Sequence, residues 1–179
     1  MSGAEEWRNP HYTKRICVSA SSIEKGDYRE LAGLAPTELW TKDVPASWFM
    51  IDLGPGRSVI PTFYTLRHGG NYRADSLRNW DFQGFFFCFV LRFSILKIGY
   101  HDETQSWDVL RRHTDDASLN GPYAMRTWPV ESSKAYRAFR VLQTGHNSSN
   151  HNYLVLSGIE FYGELYETED FDNWISEPQ

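Results

Sequence analysis

Arg67, His68, Asn71, Arg73 and Arg78 surround a Gly69-Gly70 pair, and a second polar stretch runs from Thr144 to Asn152 as Thr-Gly-His-Asn-Ser-Ser-Asn-His-Asn. A guanidinium is a planar fork that matches carboxylate and phosphate oxygens, so the first stretch suits an acidic peptide partner. The bland alternative is that Arg67 and Arg78 pair with Asp52, Asp75 or Asp81 to brace the loop. His68 would then be an ordinary structural imidazole, and Arg73, mid-loop beside Tyr72, the better contact residue. The second stretch offers amide and hydroxyl donors and acceptors, and binding groups concentrate on such loops when a rigid scaffold carries them. An ordinary solvated turn is its plain alternative. Asn147-Ser148-Ser149 also satisfies a glycosylation sequon, which matters only in a secreted chain.

Catalytic chemistry is poorly supplied. His113, Asp115 and Asp116 are close in sequence, and His146 and His151 are five apart. No nucleophile elbow, phosphate-cradling glycine loop or paired-carboxylate pattern accompanies them. The two histidines lack a third metal ligand, and an isolated Asp pair is a weak calcium signal. Cys17 and Cys88 have neither zinc spacing nor the numbers of a disulfide framework. The expectation is a non-enzyme with no metal and no cofactor.

These polar stretches must be carried on something rigid. At 179 residues the chain is long enough for one self-sufficient core, and 16% aromatic content favours pleated faces packed with rings. Ile16 and Val18 alternate with polar neighbours, which predicts a strand over 14–21. Phe49, Ile51 and Leu53 predict a second over 47–54, stopped by Gly54-Pro55-Gly56. Further strands are expected over 59–67, with Pro61 at an entrance or edge, and over 78–84, 107–112, 136–143 and 153–162. Helical spacing is confined to 28–35. The pattern predicts an all-β, two-sheet sandwich or jelly roll over 13–163, with 1–12 as a flexible lead-in and 164–179 as an acidic, disordered tail. A net charge of −5 supplies no basic field for nucleic acid. The N-terminal Met-Ser-Gly-Ala-Glu-Glu-Trp is unlike a secretory signal, which points to a cytoplasmic protein.

Phe85 to Ile98 interrupts this plan. It is apolar on both faces apart from Arg92, Ser94 and Lys97, as a fully buried central strand would be. It is too short to cross a bilayer as a helix, so no membrane role is expected.

Glu38-Leu39-Trp40-Thr41, the strand Ser47-Trp48-Phe49-Met50-Ile51-Asp52-Leu53-Gly54 and the block Tyr64-Thr65-Leu66-Arg67-His68-Gly69 carry a resemblance. So do Tyr136-Arg137-Ala138-Phe139-Arg140-Val141 and Leu156-Ser157-Gly158-Ile159-Glu160-Phe161-Tyr162-Gly163. Together they resemble the discoidin, or coagulation factor V/VIII type C, family of galactose-binding-like β-sandwiches, over residues 9–163. In that family a Trp, three residues and Gly-Ser lead into an Asp-rich turn and a second Trp. Trp80-Asp81-Phe82-Gln83-Gly84 matches the first half and His101 to Trp107 the second. The resemblance therefore implies that 85–99 is an anomalous insert pushed into a hairpin, built from residue types that AT-rich codons encode, as a translated intron would be.

The Leu66-Arg67-His68-Gly69 and Gln143-Thr144-Gly145 to Ser149 loops look like those of the intracellular branch, whose members occur beside BTB domains and in ubiquitin-ligase chains. Extracellular members usually close their ends with a Cys pair, and none is present here. The resemblance implies one ligand rim formed by both loops, with His68, Asn71, Tyr72, Arg73, His146, Asn147, Asn150 and His151 binding a protein partner as a substrate adaptor. A carbohydrate-binding module is the alternative, with Trp40 or Tyr72 as stacking platform. Trp40 can equally be a lid over the core.

Overall fold

The computed structural model describes residues 6–86 and 107–168. Eight strands are found among them: β1 (Cys17–Ala20), β2 (Trp48–Asp52), β3 (Arg57–His68), β4 (Trp80–Phe85), β5 (Trp107–His113), β6 (Met125–Pro129), β7 (Ala138–Gln143) and β8 (Leu156–Glu167). They form a five-stranded sheet in the order β1-β2-β7-β4-β5 and a three-stranded sheet in the order β6-β3-β8. Every pairing is antiparallel. The chain is an all-β sandwich, as the alternation predicts.

The core lies where the inward residues of the two sheets meet. Phe49, Ile51, Trp80, Phe82, Phe139 and Val141 come from the larger sheet, and Tyr64, Leu66, Trp128, Leu156 and Ile159 from the smaller. Register aligns these faces, since Phe49 and Phe82 both pair with Val141 across β7. The Tyr64 ring then stacks on Phe82 with centroids 4.0 Å apart and on Trp128 at 5.2 Å. Such ring pairs add to the burial of apolar area that drives folding.

Polar groups cross this interior as one connected chain. Trp80 Nε1 donates to the Tyr64 hydroxyl at 3.1 Å, that hydroxyl lies 2.7 Å from His113 Nε2, and His113 Nδ1 lies 2.6 Å from Asp116 Oδ2. The imidazole is stacked on Trp80 at 3.8 Å and is 5% exposed. A histidine, an aspartate and a hydroxyl are thus brought together as sequence proximity suggested for the first two. Burial of His113 and Tyr64 shuts the group off from any substrate, so it ties the sheets together instead.

Burial pushes the His113 pKa below its ordinary value of 6.5, against the pull of Asp116, and burial also lowers that of His68. The unfolded chain therefore takes up these protons first on acidification. Their contribution to stability is complete above about pH 6.5 and is lost as pH falls through the lower folded-state values. Thermal unfolding between roughly pH 7.5 and pH 5 should show a falling melting temperature. The slope should shrink in a His113→Gln variant, and an unchanged slope would remove His113 from the account.

Several boundaries differ from expectation, each for a physical reason. The lead-in is anchored from Asn9 onward: Asn9 is buried, its side-chain amide donates to the Arg29 carbonyl at 3.0 Å, and His11 Nδ1 accepts from the Val18 amide. The tail begins later than 164, because β8 continues to Glu167 and pairs Leu165 with Val59 and Glu167 with Arg57. The helical segment is one 3-10 turn, Tyr28–Ala32, capped by Asp27. Strand β6 has no counterpart among the expected strands. Pro61 sits beyond the point where β6 pairing starts at Phe63, and a register shift against β8 falls beside it. Phe85 closes β4 opposite Trp107 of β5. The rest of the expected insert, from 87 onward, lies outside the described residues. No helix among the described residues is long and apolar enough to cross a membrane.

Candidate functional site

Antiparallel pairing brings the C-terminal ends of β1, β3, β5 and β7 and the N-terminal ends of β2, β4, β6 and β8 to one end of the sandwich. Both polar stretches emerge there, as loop 69–79 between β3 and β4 and loop 144–155 between β7 and β8. They are sewn to each other. The Ser76 amide donates to Ser148 Oγ at 3.0 Å while the Ser148 amide donates to the Ser76 carbonyl at 2.9 Å. The Asp75 amide donates to Ser149 Oγ at 2.9 Å, and Asn79 Nδ2 donates to the His146 carbonyl at 2.9 Å.

Asp75 is the junction. Its Oδ1 accepts from Asn147 Nδ2 at 3.1 Å and lies 2.8 Å from His151 Nδ1. With the carboxylate ionised, that imidazole nitrogen is the protonated one, because an anion only accepts. The base of the first loop is held just as closely. A Cβ at Gly69 would stand 2.4 Å from the Leu39 carbonyl oxygen, so only glycine lets the loop seat there. Loop 114–124 joins the same end through Tyr123, whose amide donates to Gly70, and Asp115, whose amide donates to Asn79 Oδ1.

The eight expected partner-binding residues divide into two groups. Asn71, Arg73, His146, Asn150 and His151 are exposed and Tyr72 is half-buried, all on this rim. His146 Nδ1 lies 2.6 Å from Asn150 Oδ1, and Asn150 adopts the left-handed backbone that asparagine tolerates. His68 and Asn147 do not belong among partner contacts. His68 ends β3 with no exposed surface and an edge-on contact to the Tyr72 ring. The Tyr72 and Val155 backbones approach its ring, yet neither nitrogen makes a hydrogen bond of good geometry. Asn147 is 5% exposed and spends its whole amide on the loop: Nδ2 donates to Asp75 and to the Tyr153 carbonyl, and Oδ1 accepts from the Ser149 and His151 amides. The sequon asparagine is therefore closed to a glycan in the folded protein.

The cluster of three guanidinium groups does not form. Arg67 is 7% exposed and braces the structure as the bland alternative held, but against carbonyls rather than carboxylates: Gly33, Leu34, Ala35 and Ser157. Arg78 donates to the Leu77 carbonyl. The carboxylates expected to hold them are taken elsewhere, Asp52 by Arg137 and Asp81 by Arg112, each through two parallel bonds. Arg73 alone of the three projects from the rim.

Lys25 was not foreseen. Its ammonium sits 4.9 Å from the centre of the Trp40 ring and pairs with Glu38, while the Trp40 edge meets Tyr72 at 6.2 Å. Trp40 is half-buried, and its backbone bridges both Lys25 and Val155. Lys25 and Trp40 meet through an isolated bridge between distant segments, which leaves no local sequence signal. Among the described residues no group of three or more His, Cys, Asp or Glu could hold a metal ion.

No family model matches the chain. It is 34% identical over 175 residues to the E3 ubiquitin-protein ligase Ufd4 of Drosophila melanogaster and 33% identical over 168 residues to the E3 ubiquitin-protein ligase hecd-1 of Caenorhabditis elegans. These matches take in 92% and 90% of the chain but only 6% of each ligase, so the chain spans a small fraction of the relatives' length. A BTB/POZ domain-containing protein of Arabidopsis thaliana is 27% identical over 90% of the chain and 19% of its own length.

Among solved structures, the family 32 carbohydrate-binding module of C. perfringens NanJ in complex with galactose superposes with a TM-score of 0.59 at 10% identity. That match covers 83% of this chain and 94% of the module. The lectin domain of lectinolysin complexed with Lewis B antigen gives 0.57 at 18% identity, over 83% and 92%. A fucolectin from striped bass serum gives 0.58 at 14%, over 84% and 47%. The architecture is that of the galactose-binding-like β-sandwiches.

Proposed function

We propose that this chain is a discoidin-type, non-catalytic recognition module that holds a protein partner at its rim, as a substrate-adaptor piece of a cytoplasmic ubiquitin-ligase assembly. The observation that carries this reading is the stitching of loops 69–79 and 144–155 through Asp75, Ser76 and Ser148. It holds together the two loops that carry Asn71, Tyr72, Arg73, His146, Asn150 and His151. A surface already ordered loses less conformational freedom on binding, so a modest contact area yields useful affinity. The resemblance to two E3 ligases supports the setting. The mixed polarity of the rim, with one projecting arginine, fits a neutral polar segment better than an acidic one.

Replacing Asn71 and Arg73 together by Ala should weaken capture of the rim's partners by about tenfold or more, equivalent to about 1.4 kcal/mol. The melting temperature should stay within about 2 °C, because neither side chain is buried. Quantitative affinity purification of the two forms from cells reads this out. A partner set that does not change with the substitution would sink the proposal.

A second reading, carbohydrate recognition, is favoured by the Trp40–Tyr72 pair and by the sugar-complexed structures that share the fold. Binding on a glycan array that is lost on Tyr72→Ala would favour it over the first.

A further inference from the structure

Among the described residues β8 is an edge strand of the smaller sheet, paired only with β3. Its rim-proximal half is covered, because Trp40 bridges to Val155 just before it and Arg67 ties residues 33–35 to Ser157. The half remote from the rim is exposed from Tyr162 to Glu167, with Leu165 48% and Tyr166 43% open to solvent.

Register tells where the backbone of that half points. Val59 donates its N–H to the Tyr136 carbonyl and accepts from the Tyr136 amide, so its pair with Leu165 is the kind that exchanges no hydrogen bonds. Leu165 therefore aims both polar groups away from β3, as do Gly163 and Glu167 two residues to either side. Among the described residues no other segment bonds to them. Glu164 and Tyr166 turn theirs inward, to the ladder with Ile60 and Ser58.

The period of two also sorts the side chains. Phe161 packs on the core and Leu165 follows it on the same face, while Glu160, Tyr162, Glu164 and Tyr166 line the outer face. The Tyr162 hydroxyl donates to Glu160. Glu167 is held by Arg57, but among the described residues neither Glu160 nor Glu164 joins an ion pair. Arg67 lies within the field of Glu160, yet it commits its donors to carbonyls and Ser157.

We propose that the outer half of β8 takes up an extended segment of a partner protein as an added strand, with basic side chains at alternate positions and apolar ones between. The backbones of Gly163, Leu165 and Glu167 supply the ladder, and the apolar side chains cover Leu165 and the margin of Phe161. The basic ones meet Glu160 and Glu164, with their stems and charges over the Tyr162 and Tyr166 rings. A second copy of this chain is the wrong occupant, since β8 against β8 would gather Glu160 and Glu164 of both molecules with no cation between them. The acids that keep copies apart are the ones that select a basic strand. This surface is separate from the rim and does not depend on the reading given to it.

NMR-detected amide exchange of the full chain with a peptide of about eight alternating Lys and Val residues tests this. Exchange should slow by about tenfold at Gly163, Leu165 and Glu167 and stay unchanged at Glu164 and Tyr166. The valines face inward opposite these residues, so methylating the valine backbone nitrogens should abolish binding, whereas methylating those of the lysines should not. An alternating Glu-Val peptide should not bind, and Glu160→Gln/Glu164→Gln should weaken the Lys-Val peptide by about tenfold. The peptide series decides the matter even if that variant fails to fold. Absence of slowing at the three amides would overturn the proposal. So would equal binding of the valine-methylated peptide, which would mean contact by charge alone, or slowing that appears without peptide as the protein concentration rises, which would mean a second copy.

Discussion

Arg67→Met is expected to lower the stability of the sandwich by about 3–5 kcal/mol, because several covered carbonyls lose a charged donor at once. The guanidinium donates through Nε to Ser157 Oγ at 3.0 Å, through Nη1 to Leu34 at 2.7 Å, and through Nη2 to Gly33, Ala35 and Ser157 at 3.0, 2.8 and 2.7 Å. It thereby pins the segment after the 3-10 turn onto β3 and β8. Methionine keeps most of the stem's packing and none of the donors, so carbonyls that stay covered lose their partner, each a cost of about 1–3 kcal/mol unless water enters. Water entry at 33–35 moderates the sum. Burial lowers the Arg67 pKa, but a guanidinium keeps its proton in proteins, so the side chain is a cation held by carbonyl dipoles. Thermal denaturation should show a fall of roughly 10 °C, with faster amide exchange around Gly33 to Ala35. Lysine at 67 should recover only part of the loss, since an ammonium lacks the planar fork. A change under about 1 kcal/mol would mean that the fan of contacts contributes little net free energy.

The second large effect is expected at Asn147. Alanine there removes both donors and the acceptor that organise loop 144–155, leaving the Tyr153 carbonyl and the Ser149 and His151 amides to find other partners. A loss of about 2–3 kcal/mol follows, with most of the disturbance confined to the rim. Aspartate at 147 should be worse than alanine despite its similar shape, because it sets a second carboxylate against Asp75, which now receives a bond from Asn147 Nδ2. Urea unfolding of the two variants provides the comparison, and NMR spectra would show whether shifts cluster in 69–79 and 144–155. An aspartate variant as stable as the unaltered chain would deny Asp75 its place as the junction of the two loops.

Strands whose alternation is set by the core were legible in the sequence. Phe49, Ile51 and Leu53 are all inward, as are Ile16 and Val18. Strand β6 was not, because Met-Arg-Thr-Trp-Pro has one inward residue, Trp128, and is recruited by its pairing with β3. Four acidic-tail residues are strand for the same reason: backbone bonds to Arg57 through Ile60 hold Glu164 to Glu167 whatever their side chains prefer. The end of β3 shows the converse. Charge and a Gly-Gly pair marked His68 as loop and the Arg67 guanidinium, at the end of the expected strand, as a loop group, yet segments some thirty residues earlier and ninety later cover them. Local composition located both rim loops correctly but could not tell an exposed asparagine such as Asn71 from Asn147, whose capacity is consumed internally. That distinction depends on which loop faces which.

The Arg57 side chain reaches the Arg15 carbonyl, next to Gly56, whose own carbonyl accepts from the Thr168 amide just past β8. The first strand's approach and the last strand's finish thus lie a single side chain's reach apart, so a disturbance at either is transmitted to the other through one arginine.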